Sequence, residues 1–149
     1  MSQVITAVSA QAQPFHARMA AATVADLIRL PLATVSPYDH AAAAAYLMKH
    51  AGATALMVTD ARASRPVGII TEADIAHAVA DKKDLDSIRI RDLMTTPPTV
   101  ITATTSIRDA ADIMVRGRFR HLPVVGDAGL IGMVDVVDVC RALIDMTRA

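Results

Sequence analysis

The chain matches itself. Displaced by 66 residues, Asp26 falls on Asp92, Leu27 on Leu93 and Pro31 on Pro97. Ala44 and Ala45 fall on Ala110 and Ala111, and Met48, Leu56 and Val58 fall on Met114, Leu122 and Val124. Beyond the next turn the displacement drops to 64: Gly68 meets Gly132, Asp74 meets Asp138 and Ala78 meets Ala142. The first copy's turn at Thr59–Pro66 is therefore two residues longer, an extension that surface turns accept at small entropic cost. Collinear matches over about 55 residues define two copies of one unit. A unit of that size buries too little surface to be comfortable alone. The copies are expected to pack sheet to sheet about a pseudo-two-fold axis.

Each copy reads the same way. A short helical turn (Val24–Ile28; Ile90–Met94) leads through a proline-marked bend to a brief β segment (Ala33–Val35; Thr99–Ile101). A helix follows: Asp39–His50 with Asp39 as N-cap, and Ser106–Arg116 with Ser106 as N-cap and Gly117 ending it. Ile107, Ala110, Ala111 and Met114 recur at helical spacing. Two strands come next, Thr54–Thr59 and Val67–Ile70 in one copy and His121–Val125 and Leu130–Val134 in the other, the latter joined by a turn at Gly126–Gly129. A second helix closes the unit at Thr71–Ala80 and Asp135–Thr147. The predicted fold class is α+β (α/β-like), a β-α-β-β-α unit used twice. The repeats are placed at 23–81 and 90–149, joined by a solvated linker at 82–89 and preceded by an extension, 1–22, whose Ala17–Ala22 part can lengthen the first helical turn.

Composition bounds the rest. Of 149 residues 53% are hydrophobic but only 3% aromatic, and 29 are Ala, so the interior must be built from Ala, Val, Ile, Leu and Met. Fifteen basic residues balance fifteen acidic ones, which argues against nucleic acid or anionic membrane as partner. Cys140 is the one cysteine and cannot form an internal disulfide; its apolar helical setting predicts a packed thiol. The longest apolar run, Ala41–Met48, is far short of the ~20 residues that span a bilayer. Met1–Pro14 lacks a basic segment followed by an apolar one, so no signal peptide is expected. The expectation is a soluble, cytoplasmic protein. The five histidines show no metal-ligand spacing. Neither a glycine-rich phosphate loop nor a nucleophile elbow is present, and no base–nucleophile pair can be named, so no catalysis is expected.

Several segments resemble the paired cystathionine-β-synthase (CBS) domain, or Bateman module. They are Val24–Ile28, Arg91–Thr95, Arg120–Val125, Gly68–Asp74 and Gly132–Asp138. Each is weak alone, but the ordered set occurs twice and covers about Thr23–Ile144. The resemblance implies a stand-alone regulatory module that binds an adenosine-containing ligand (AMP, ADP, ATP or S-adenosylmethionine) in clefts between the repeats. It also implies a homodimer shaped as a flat disc, head to head or head to tail, and a regulated partner protein.

The candidate ligand residues follow from chemistry at these positions. Thr71 and Asp74 form a capping-box pattern at a strand-to-helix junction. The same geometry offers a helix N-terminus to an anion and a carboxylate to the two hydroxyls of a ribose. In the second copy Asp138 matches Asp74, but Asp135 stands where the family usually has Ser or Thr. Asp caps a helix well and repels a phosphate, which weakens the second copy's phosphate site. Arg120 and His121 are at positions that often contact ligand phosphates in the family, whereas Arg116 and Arg118 read as helix-end charges. The first copy carries Thr54 and Ala55 at the places of Arg120 and His121, so the two clefts are expected to differ. By family position, Ala53-Thr54-Ala55 and Phe119-Arg120-His121 are the candidate adenine walls; Phe119 reads equally as core. A module that keeps the fold with degenerate sites, serving interaction alone, is the competing reading. The alanine-rich helix at 41–47 is a candidate close-packing surface for a dimer.

Overall fold

A computed structural model describes residues 22–30, 33–62 and 65–148. The extension through residue 21, with its expected helical lengthening, lies outside them. The first copy runs from a 3-10 turn, Val24–Leu27, through β1 (Thr34–Val35), α1 (Ala41–Ala51), β2 (Ala55–Thr59) and β3 (Pro66–Thr71) to α2 (Glu72–Ala80). The second runs from a 3-10 turn, Ile90–Asp92, through α3 (Ile107–Gly117), β4 (His121–Gly126) and β5 (Gly129–Asp135) to α4 (Val136–Arg148). β1 lies parallel to β2, and β2 is antiparallel to β3 with Leu56 opposite Ile70. β4 is antiparallel to β5 with Leu122 opposite Val134. Both hairpins break register at the equivalent step, after Val58 and after Val124. No helix among the described residues is long and apolar enough to cross a membrane.

Four local expectations are corrected. Thr99–Ile101 is not a strand; it makes one parallel bridge, with Ile101 N–H donating to the Pro123 carbonyl and the Ile101 carbonyl accepting from Val125 N–H, each at 2.9 Å. Pro97 and Pro98, just before it, have no N–H with which to extend a ladder. Asp39 does not cap α1, whose N-cap is His40. The Asp39 carboxylate instead accepts from Ser36 N–H at 3.0 Å, closing the turn that precedes the helix. Ser106 does cap α3, accepting from Asp109 N–H at 3.0 Å. Gly117, however, is the last helical residue of α3, and Arg118 takes the left-handed conformation at φ 55°. Gly117 is required for another reason: a Cβ there would lie 2.0 Å from the Phe119 ring. Cys140 is exposed, not packed. It follows Val139, which faces the core, and one helical step of about 100° carries it round to solvent.

Two apolar cores form, and they are copies of each other. One holds Val35, Ala44, Met48, Leu56, Val58, Ile70 and Ile90. The other holds Ile101, Ala110, Met114, Leu122, Val124, Val134 and Val24, with Ile107 and Val139 besides. Position by position these match under the repeat, with one exchange. Ile90, from the opening turn of the second copy, is buried in the first core, and Val24, from the opening turn of the first copy, is buried in the second. The opening segments also add backbone pairs to the other copy's sheet: Thr95 exchanges N–H···O bonds with Ile69, and Arg29 N–H donates to the Met133 carbonyl at 3.0 Å. A third cluster, Ala55, Met57 and Met133 with Ile69 and Leu130, seals the two sheets together. The repeats are thus tied by burial and by crossed chain segments.

Candidate functional site

The crossed segments leave a cleft of about 630 Å³ between the repeats, within the range of small-molecule sites. One wall is the junction of β3 and α2. Thr71 ends the strand and caps the helix: its hydroxyl accepts from Asp74 N–H at 3.2 Å, and Asp74 Oδ2 accepts from Thr71 N–H at 2.9 Å and from the Thr71 hydroxyl at 3.0 Å. Both contacts of the carboxylate use Oδ2. Asp74 Oδ1 has no hydrogen-bond partner among the described residues, so the capping box leaves one carboxylate oxygen for a ligand. Glu72 N–H donates to the Thr54 carbonyl at 3.0 Å, fixing the entry to β2 against the start of α2.

The facing wall is the entry to β4. Phe119 N–H donates to the Met114 carbonyl at 2.9 Å, folding the chain back over the end of α3. Val136 N–H donates to the Arg120 carbonyl at 2.8 Å, the counterpart of the Glu72–Thr54 bond. These two bonds put Arg118, Phe119, Arg120 and His121 on the cleft opposite Thr71 and Asp74. Phe119 lines the cleft and also packs on the second core, so both of its readings hold.

His121 bridges the two walls. Its Nε2 lies 2.7 Å from Thr54 Oγ1 of the first repeat and 3.3 Å from Asp135 Oδ2 of its own. Burial pushes the imidazole pKa below its ordinary value; Asp135 opposes that shift and Arg120 adds to it. The ring is therefore largely neutral near pH 7, and its approach to Asp135 is not an ion pair there. Asp135 Oδ1 also accepts from Val137 N–H at 2.7 Å, the helix-start role expected of it. The cleft thus offers an unengaged carboxylate oxygen for a diol, two guanidinium groups for an anion, and apolar surface from Ile69, Phe119 and Pro123.

Of the residues singled out from sequence, Thr54, Thr71, Asp74, Phe119, Arg120, His121 and Asp135 come together here. Ala53 does not; it packs against the first core. Asp138 lines a separate cleft of about 350 Å³ with the opening segment of the first copy. There Arg29 Nε donates to Asp138 Oδ2 at 2.5 Å and its terminal nitrogen to Oδ1 at 2.8 Å. Asp135 and Asp138, read as partners in one site, thus face different clefts.

Against this geometry, the CBS domain profile matches residues 24–81 and 90–145. The chain belongs to the CBS domain family. This CBS pair is 39% identical over 127 residues to an uncharacterised 17.7 kDa protein of Acidianus ambivalens, covering 85% of this chain and 76% of that one. An uncharacterised Methanopyrus kandleri protein is 32% identical over 83% of this chain, which spans 63% of that protein's length. Among solved structures, CBSX2 of Arabidopsis thaliana in complex with AMP superposes with a TM-score of 0.72 at 30% identity, covering 85% of this chain and 99% of that one.

Sequence reasoning about this CBS pair missed Glu72, Thr95, Thr99 and Arg118 on the large cleft and Arg29 on the small one. Arg118 was masked by its helix-end position, where a cation needs no further reason. Thr95 and Arg29 are equivalent under the repeat, and that unlike pair was the available signal. The crossing that brings each to the other copy's sheet has no local sequence mark.

Proposed function

We propose that this CBS pair is a non-catalytic regulatory module that binds an adenosine-containing ligand of the AMP, ADP, ATP or S-adenosylmethionine kind in the larger cleft. The observation that carries the reading is Asp74 Oδ1, left free by the capping box on a wall that faces Arg118 and Arg120. A carboxylate oxygen suits a ribose diol, and the guanidinium forks suit the ligand's phosphates. Phe119 and Pro123 supply an apolar bed for the base. Ligand that bridges the walls favours the closed arrangement of the two repeats, and it alters the outer surface only through unequal affinity for the two arrangements. We include a homodimer in the reading, because Val137 and Ile144 expose apolar side chains seven residues apart on one face of α4. The competing reading, an interaction module with degenerate sites, draws on Asp135, whose charge disfavours an anion at the start of α4.

Thermal unfolding with each nucleotide and with S-adenosylmethionine distinguishes the two. At a hundred times Kd a ligand stabilises by about 2.7 kcal/mol. For a chain of this length that raises Tm by about 5–10 °C. No shift with any of them at millimolar concentration contradicts the ligand-binding reading and leaves the interaction module.

A further inference from the structure

The two aspartates that the repeat makes equivalent are in opposite states. Asp74 keeps Oδ1 free among the described residues, whereas Arg29 engages both oxygens of Asp138 in a fork-to-fork pair. Asp138 is the more enclosed partner, its side chain 15% exposed against 65% for Arg29. The guanidinium thus lies across the carboxylate from the solvent side, and the exposed Arg141 comes within 4.0 Å of Asp138 Oδ1. Arg29 also holds the Asp138 carboxyl below the usual carboxylate range, so the pair is intact at neutral pH.

The asymmetry traces to one position. Arg29 and Thr95 are equivalent under the repeat and are anchored alike, each by a backbone bond to the other copy's last strand. Thr95 is short and uncharged, and it lines the larger cleft without contacting Asp74. Arg29, on the same backbone in the other copy, reaches Asp138.

We propose that Arg29 is an internal plug: its ion pair with Asp138 keeps the smaller cleft from taking an adenosine ligand, so that each chain binds one, at the larger cleft, until that pair is broken. The one-per-chain count rests on the ligand reading above; the plug itself does not. The smaller cleft has the volume for a small ligand and a carboxylate at the equivalent place. Asp26 and Asp145 line it too, but the carboxylate at the place of Asp74 is held by Arg29, and a diol must displace a bidentate guanidinium to reach it. Arg29 is therefore a specificity-determining residue that acts by occupying a site.

The test is calorimetric titration of the full chain with AMP, comparing wild type with Arg29→Thr, which installs the residue its counterpart carries. Arg29→Ala provides a second variant, and the exposure of the Arg29 side chain means that either is expected to fold. The expected result is one site per chain in wild type and two in each variant, the first site's Kd changing less than twofold. Adding Asp138→Ala to Arg29→Thr is expected to return the count to one. Two sites in wild type, or one in both variants, overturns the plug. No site in wild type but one in the Arg29 variants, lost again with Asp138→Ala, supports the plug while contradicting the larger-cleft reading. No site in any of these proteins contradicts both.

Discussion

At the scale of single residues, function depends on which oxygens of a carboxylate are already engaged. Asp74 and Asp138 match under the repeat, yet one presents a free acceptor and the other is closed by Arg29. A hydrogen bond to a charged group is worth about 1.5–3 kcal/mol. Asp74→Ala is therefore expected to weaken AMP binding about ten- to a hundredfold, measured by titration. His121 makes a second prediction. Its folded pKa lies below that of the unfolded chain because of burial. Between those two values the unfolded chain binds the extra proton, so stability falls as pH drops through about 6.5 towards the lowered folded value. Melting curves between pH 7.5 and 5.5 are expected to show that loss, and His121→Gln is expected to flatten it. Asp74 was legible because its partner Thr71 is three residues away. The Arg29–Asp138 pair was not, because its partners are 109 residues apart and nothing local links them.

At the scale of elements, what was legible was what local chemistry dictates. The capping box at Thr71–Asp74, the Ser106 cap and the helical spacing of α3 all appear as the sequence implies. Asp39 misled because a carboxylate just before a helix serves a turn as readily as a cap, and the Ser36 amide lies within its reach. Thr99–Ile101 misled because β propensity does not supply the ladder donors that two prolines remove. Thr71→Ala removes the cap and is expected to cost about 1 kcal/mol of stability, read from denaturant unfolding. The same variant leaves the Asp74 carboxylate held by the residue-71 backbone N–H alone, loosening its position, so its effect on AMP affinity is expected to exceed its effect on stability.

At the scale of the molecule, the repeat predicts two packed copies, and the structure adds that they are interlocked. Neither core is complete within its own copy, since Val24 and Ile90 each fill the other copy's interior. Periodicity reports where apolar side chains recur and is silent on which copy receives them. Ile90→Ala is expected to destabilise the whole chain by about 2–5 kcal/mol in a single transition, although Ile90 opens the second copy and its cavity lies in the first core. Two separable transitions would mean the copies fold independently. The interlock is also what builds the larger cleft, because it presses the entry of β4 against the start of α2, where His121 meets Thr54.

The most direct test is amide chemical-shift mapping by NMR during titration with AMP. Saturable shifts at Thr71–Asp74 of the first repeat together with Arg118–His121 of the second are the expected result, since one ligand must touch both walls. Shifts confined to one repeat, or none at saturating nucleotide, would contradict a ligand site in the seam.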